Sequence, residues 1–289
     1  MSYFVGSIYI ASDGPEPTAK VAVQNKVETI ITGSAFPEEL HLALKTDYRD
    51  ENKKRARIKN ELCQAETREV ICGKIDKSKS NVLLIGDSFG RDGINSLAIG
   101  YPTANLIIDV IGGCPLVPDV NLVTHANKAC KDLNNLRFEE IERILPEIDT
   151  VILSIKITQE RVVPVQGTIA WLRDKNARVI VLGNPPMFRG RRLPDIIQAH
   201  GKVEGLNEFA SEWMGDLEPI DAEMERYTAS VGAAYIRRRD HLCPEIPNCD
   251  VLIDGKFPIT MDNAHQSYAA AEAFGKYLAR EYPDLLEPT

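Results

Sequence analysis

From Asn81 onward, short unbroken apolar runs alternate with longer segments of helical spacing, and this alternation constrains the fold more than any other feature. Asn81–Gly86 reads NVLLIG, an apolar run closed by a glycine, as suits a strand buried on both faces of a parallel sheet. Leu106–Gly112 (LIIDVIG), Thr150–Ile157 (TVILSIKI), Arg178–Gly183 (RVIVLG) and Ala233–Arg237 (AAYIR) repeat the pattern. Between them, Leu133, Leu136, Ile141, Ile144 and Leu145 recur at helical spacing, as do Ile169 to Leu172 and the set Met224, Tyr227 and Val231. Strands alternating with helices imply βα units and right-handed crossovers that lay helices on both faces of the sheet. The expected fold is α/β: a three-layer α/β/α sandwich around a mostly parallel five-stranded sheet. In such sheets chemistry sits where loops leave the carboxyl ends of the strands.

The first sixty residues break this rhythm. Val21–Gly33 looks strand-like, whereas residues 37–62 are polar and helical in character. The mixed charges from Arg49 to Arg57 read as a solvated helix face. Residues 1–60 are therefore expected to form an N-terminal extension or linker, and 61–289 the catalytic domain. The 34 Lys and Arg against 42 Asp and Glu give a net charge of −8. That excess of acid disfavours a nucleic-acid partner, which calls for a basic face, and suits a neutral or carbohydrate one. No apolar run reaches the roughly 18 residues of a membrane-spanning helix. Met1–Ala11 is apolar but lacks a basic flank and a cleavage site, so the chain is either cytoplasmic or a piece of a longer exported one.

Six cysteines form three local couples: Cys63 and Cys72, Cys114 and Cys130, Cys243 and Cys249. None has the CxxC spacing of a zinc site, so no metal is expected. Spacing alone suits either buried thiols or local disulfides, and the second would require an oxidising compartment.

The first apolar run leads directly into Gly86-Asp87-Ser88-Phe89-Gly90. A serine on that strand-to-helix turn stands at the sheet's carboxyl edge beside free helix N–H groups, which suit an oxyanion. A serine nucleophile needs a base and a group that orients the base. Of the five histidines, His265 alone has a carboxylate at a telling offset, in Asp262-Asn263-Ala264-His265. It also precedes a helix over Ser267–Glu281, with Ser267 as N-cap and Tyr268, Ala271, Gly275, Leu278 and Tyr282 as the inward stripe.

A GDS turn after the first strand and a D-x-x-H before the last helix, in this order on an α/β pattern, resemble the SGNH (GDSL) hydrolase family. The resemblance covers roughly residues 81–278. It implies an SGNH-hydrolase-like, flavodoxin-like fold, with Ser88 as nucleophile, His265 as base and Asp262 as its orienting partner. It also implies an oxyanion hole made by the Ser88 N–H, a glycine N–H at Gly112 or Gly113, and an asparagine after the third strand. Lys156 stands where that asparagine is expected, with Asn184 as a possible substitute donor.

The cysteine placement and the basic residue at 156 further resemble the SGNH domains fused to integral-membrane O-acyltransferases of bacterial envelopes. That resemblance implies the disulfides Cys63–Cys72, Cys114–Cys130 and Cys243–Cys249, a periplasmic or extracytoplasmic location, and a linked membrane acyltransferase domain. The implied function is O-acyl transfer, commonly O-acetyl, from an acyl donor through Ser88 to a hydroxyl of an envelope polysaccharide or lipopolysaccharide. No cofactor is implied. A stand-alone carbohydrate acetyl esterase is the alternative, and a glycan-binding module with a decayed site is a third reading, opposed by the intact Ser, His and Asp set.

Overall fold

The computed structural model describes residues 40, 43–44, 48–63, 71–118, 128–243 and 249–287. The strand-like reading of Val21–Gly33 lies outside the described residues. The described elements open with α1 (Tyr48–Leu62), β1 (Asn81–Gly86), α2 (Gly90–Gly100), β2 (Asn105–Val110) and α3 (Lys128–Ile144). Next come β3 (Thr150–Ser154), α4 (Val162–Asp174), β4 (Val179–Leu182), α5 (Leu193–His200) and α6 (Leu206–Ser211). The chain continues through α7 (Glu218–Ser230), β5 (Ala234–Ile236), a small β6–β7 hairpin (Leu252–Ile253, Phe257–Pro258) and α8 (Tyr268–Glu281).

The five long-range strands pair in the order β2-β1-β3-β4-β5, all parallel. This is the doubly wound, flavodoxin-like order expected from the apolar runs. Side chains alternate across the sheet with the period of a strand. Leu83, Ile85, Val151, Leu153, Val179 and Val181 pack with residues of α3, α4 and α7, among them Ile141, Leu172 and Met224. Val82, Leu84, Ile152 and Ile180 pack on the opposite face with Ile94 and Leu97 of α2 and Phe274 and Leu278 of α8. The strand order reverses at β1, whose neighbours β2 and β3 lead away in opposite directions. The carboxyl ends of β1 and β3 therefore border the crevice where such folds bind ligands.

Two local readings give way to long-range pairing. Leu136 was expected inward on α3 but is 42% exposed, while Arg137 is fully buried. Asp109, itself buried within β2, is the cause: Arg137 donates to both its oxygens at 2.8–3.0 Å, so the guanidinium must face the sheet. Likewise the charged run of α1 is not wholly solvated, because Glu51 and Arg55 are buried. On α8, Ser267 caps the helix as expected, its hydroxyl accepting from Ala270 N–H. Ala271, Gly275 and Leu278 face inward, but Tyr282 lies past the last turn and is exposed.

Three disulfides join Cys63 to Cys72, Cys114 to Cys130 and Cys243 to Cys249. The first ties the end of α1 to the sheet edge, where Cys72 bridges to Ile108 of β2. Helices α2 and α8 meet backbone to backbone. A Cβ on Gly275 would collide with the Ser96 carbonyl, and one on Gly100 would come to 2.5 Å from the Gly275 oxygen. The Ser96 hydroxyl donates across the same seam to the Ala271 carbonyl at 2.9 Å. No helix among the described residues is long and apolar enough to cross a membrane.

Two outcomes follow. Gly275→Ala forces the seam apart and should lower stability by about 1–3 kcal/mol, read as a shift in the urea midpoint at unchanged slope. Peptide mapping without reduction should recover the three bridges and no alkylatable thiol; six free thiols in protein made under oxidising conditions would contradict this pairing.

Candidate active site

β1 ends at Gly86 because the chain folds back sharply there: a Cβ at this position would lie 2.5 Å from the Ser154 carbonyl and 2.7 Å from Gly90 Cα. The turn lifts Ser88 to the rim of the sheet, immediately before the N-terminus of α2. His265 arrives from the other side, on the loop that enters α8. The Ser88 hydroxyl lies 2.9 Å from His265 Nε2, and His265 Nδ1 lies 2.7 Å from Asp262 Oδ2. With Nδ1 carrying the proton toward the carboxylate, Nε2 is the acceptor for the serine.

Asp262 also shapes its own loop. Its second oxygen, Oδ1, accepts the Ala264 and His265 N–H groups, each at 2.8 Å. Burial by itself raises the Asp262 carboxyl, but the hydrogen bonds and charge of His265 and the backbone donors outweigh it and hold the group at about 2. The carboxylate thus stays ionised across the neutral range and fixes both the tautomer and the orientation of the imidazole.

Asp87 lies beneath the serine and is buried. It accepts from Phe89 N–H at 2.9 Å and Lys156 N–H at 3.2 Å, and pairs with Arg161 at 3.2 Å. Burial raises its carboxyl, against the backbone donors and Arg161. Asp87 thereby ties the turn after β1 to the loop after β3. That link sets Lys156, whose ammonium lies 6.0 Å from the centre of the Phe89 ring, itself 5.2 Å from the His265 ring. Gly112 and Gly113 form an exposed turn at the carboxyl end of β2, with Gly113 in the left-handed region at φ 71°. The Asn184 side chain is engaged in the scaffold: its amide group donates to the Ile157 carbonyl at 2.6 Å and its oxygen accepts from Ile157 N–H, bracing the loops after β3 and β4.

Several residues near this centre carry no motif. Arg238, after β5, is buried, donates to the Ser154 hydroxyl at 2.6 Å and reaches Gln266 Oε1 at 3.4 Å. Ser154 in turn donates to the Phe89 carbonyl at 3.0 Å. Burial lowers the Arg238 guanidinium to about 10, opposed by the charges of Asp92 and Asp87. Asp92, four residues beyond Ser88, is also buried. The one sequence signal for Arg238 is its place in an Arg237-Arg238-Arg239 run at a strand's carboxyl end; Asp92 reads locally as an ordinary first-turn acid of a helix. Among the described residues, no group of three His, Cys, Asp or Glu is disposed to hold a metal ion.

Comparison with known proteins agrees with this architecture. The profile of the family described as "SGNH domain (fused to AT3 domains)" matches residues 45–280. No curated protein matches the sequence. Among solved structures, the chain is similar to the periplasmic domain of the Salmonella ser. Paratyphi A lipopolysaccharide acetyltransferase. That match has 20% identity over 72% of this chain and 85% of that one, with a TM-score of 0.57. An acetyl xylan esterase also aligns, at 16% identity over 70% of this chain and 99% of that one, with a TM-score of 0.39. With most of its length matched by the profile, this chain belongs to the SGNH family, in the group whose SGNH domains are fused to AT3 domains.

Proposed function

We propose that this domain is an O-acyltransferase, most simply an O-acetyltransferase, acting through Ser88 on a hydroxyl of a bacterial envelope polysaccharide or lipopolysaccharide. The observation that carries the reading is the continuous Ser88–His265–Asp262 hydrogen-bond chain at the crevice, in a family defined by fusion to AT3 domains. In this reading Ser88 Oγ attacks the acyl carbonyl and passes its proton to His265 Nε2. The resulting oxyanion is met by the Ser88 N–H at the start of α2, by Gly112 or Gly113 N–H, and by the Lys156 ammonium. His265 then protonates the leaving group, leaving an acyl-serine. A sugar hydroxyl, deprotonated by the same imidazole, takes the acyl group and frees the serine.

The location that fits is the periplasmic side of the inner membrane, with the acyl donor handed over by a covalently linked membrane acyltransferase domain. Helix α1 belongs to the catalytic unit in this reading, as do Leu40 and Ala43 before it, because these two and Glu51 and Arg55 are buried in it, and the link toward the membrane domain comes before them. The half-exposed Ser88 and His265 leave room for a bulky acceptor at the rim. Water at the same position gives the esterase reaction.

Ser88→Ala and His265→Ala should each lower kcat on an activated acetyl ester by about 10⁴-fold or more, with the double variant hardly worse and Asp262→Asn one to two orders milder. Wild-type turnover in Ser88→Ala would remove the nucleophile. Offering glycan fragments with the activated donor should yield acetylated sugar while free acetate falls. Fast, saturable acetate release indifferent to every glycan would favour the esterase. Because the Asp262 carboxyl is held down at about 2, its stabilising contribution is present above the usual carboxylate value near 3.8 and is lost as pH falls through about 2. Asp262→Asn should therefore unfold more easily than wild type at pH 6, and the gap should close toward pH 2.

A further inference from the structure

Helix α1 reaches both halves of the site through buried polar contacts. Arg55 donates from Nε to Asp92 Oδ1 at 2.7 Å, with Nη2 2.6 Å from the same oxygen. Asn95, one turn further along α2, donates to the Arg55 carbonyl at 3.2 Å. The other oxygen of Asp92 accepts the backbone N–H of Gln266, the residue after His265, at 3.1 Å. One turn back on α1, Glu51 Oε2 accepts the backbone N–H of Tyr268 at 2.8 Å. Arg55 and Asp92 are 3% and 0% exposed, so neither bond competes with water. The far end of α1 is fixed as well, by Lys59 donating to the Val110 carbonyl at 2.6 Å and by the Cys63–Cys72 bridge.

Asp92 therefore has two tasks. It sits on the first turn of α2, the helix that begins just after Ser88, and it grips the peptide that follows His265. In that dry position Arg55 of α1 is its ion-pair partner, and the Gln266 N–H is a further donor. We infer that Glu51, Arg55 and Asp92 are positioning residues for the Ser88–His265 pair, so that α1 must be docked for the base to face the nucleophile. The inference rests on the reading of Ser88 and His265 as the reacting pair. None of the three residues touches the substrate in this scheme. They act on the backbone at Gln266 and Tyr268, and through it on the direction of the imidazole.

The test separates position from folding. In Arg55→Met/Asp92→Leu both buried charges leave together, a replacement that proteins often accept without loss of stability, yet the Gln266 N–H loses its acceptor. Two readouts are taken: kcat and KM on an activated acetyl ester, and the rate at which a fluorophosphonate labels Ser88. In the labelling step Ser88 Oγ forms the P–O bond, fluoride leaves, and the serine proton passes to His265. The expected result is a fall of about 30- to 100-fold in kcat and in labelling rate, with KM within about twofold and a single cooperative thermal transition retained, the scale of a misplacement of about 1 Å. Wild-type kcat and labelling in the folded double variant would overturn the inference.

Should the double variant fail to fold, Glu51 decides. Glu51→Met should slow both readouts and Glu51→Gln, which keeps an oxygen for the Tyr268 N–H, should restore them. Equal rates in the two variants would overturn the inference. A wild-type protein that the reagent does not label at Ser88 would instead remove the reading of the site, a different failure from equal labelling of wild type and variants.

Discussion

A carboxylate taken out of water must be answered by a cation or by several donors, or it will not stay ionised. Asp87, Asp92, Asp109 and Asp221 are each buried, and each is answered by an arginine from a distant part of the chain: Arg161, Arg55, Arg137 and Arg239. Pairs of this kind add little to net stability, because desolvation cancels most of the attraction. What they impose is geometry, since removing either partner leaves a charge stranded. Asp87 with Arg161 joins the loops after β1 and β3, and Asp92 with Arg55 joins α1 to α2. Asp109 with Arg137 fixes the rotation of α3 against the sheet. The turn that carries Ser88 and the loops beside it are thus held by charge pairs, above a hydrophobic sandwich that supplies the burial.

That division explains what could be read in the sequence. The strands were legible because a buried parallel strand writes itself as an unbroken apolar run, and Asn81–Gly86 and Thr150–Ser154 fall within the runs expected for them. Ser88, Asp262 and His265 stood out because their chemistry is packed into two short local patterns, and the structure brings the three side chains into one hydrogen-bonded chain. Leu136 and Arg137 were misjudged because a count of apolar residues cannot know that Asp109 waits in β2 for a guanidinium. Asp92, Arg55 and Glu51 were invisible for the same reason: each looks like an ordinary helix-surface charge until partners 37 and 217 positions away are brought alongside. Asn184 was readable as a loop residue, but its ties to Ile157 depend on a neighbouring strand and leave no local trace.

The electrostatics below the rim suit the proposed chemistry. Among the described residues no carboxylate forms an ion pair with Arg238, and the charges of Asp92 and Asp87 act on it from a distance. It holds Ser154, which holds the Phe89 carbonyl, so a fixed cation lies under the turn that presents Ser88. Negative charge developing on the acyl oxygen above would meet dipoles and charges already oriented, with little reorganisation at the moment of reaction. Transfer rather than hydrolysis then depends on the acceptor. A sugar hydroxyl held in line can have an effective molarity of about 10⁵ M or more, far above that of bulk water.

The contact between α2 and α8 has a consequence of another kind. At Ser96, Gly100 and Gly275 along that seam the two helices touch peptide to peptide, and the Ser96 hydroxyl that crosses it is itself bonded to the Ala271 carbonyl. Elsewhere in the molecule, substitutions and thermal motion can be absorbed as side chains change rotamer. At these backbone contacts there is little to absorb them, so the closest approach of the two helices leading away from Ser88 and His265 is set by covalent geometry. The rest of the core can drift in composition while Ser88 and His265 keep their spacing, as long as that line of contact stays bare.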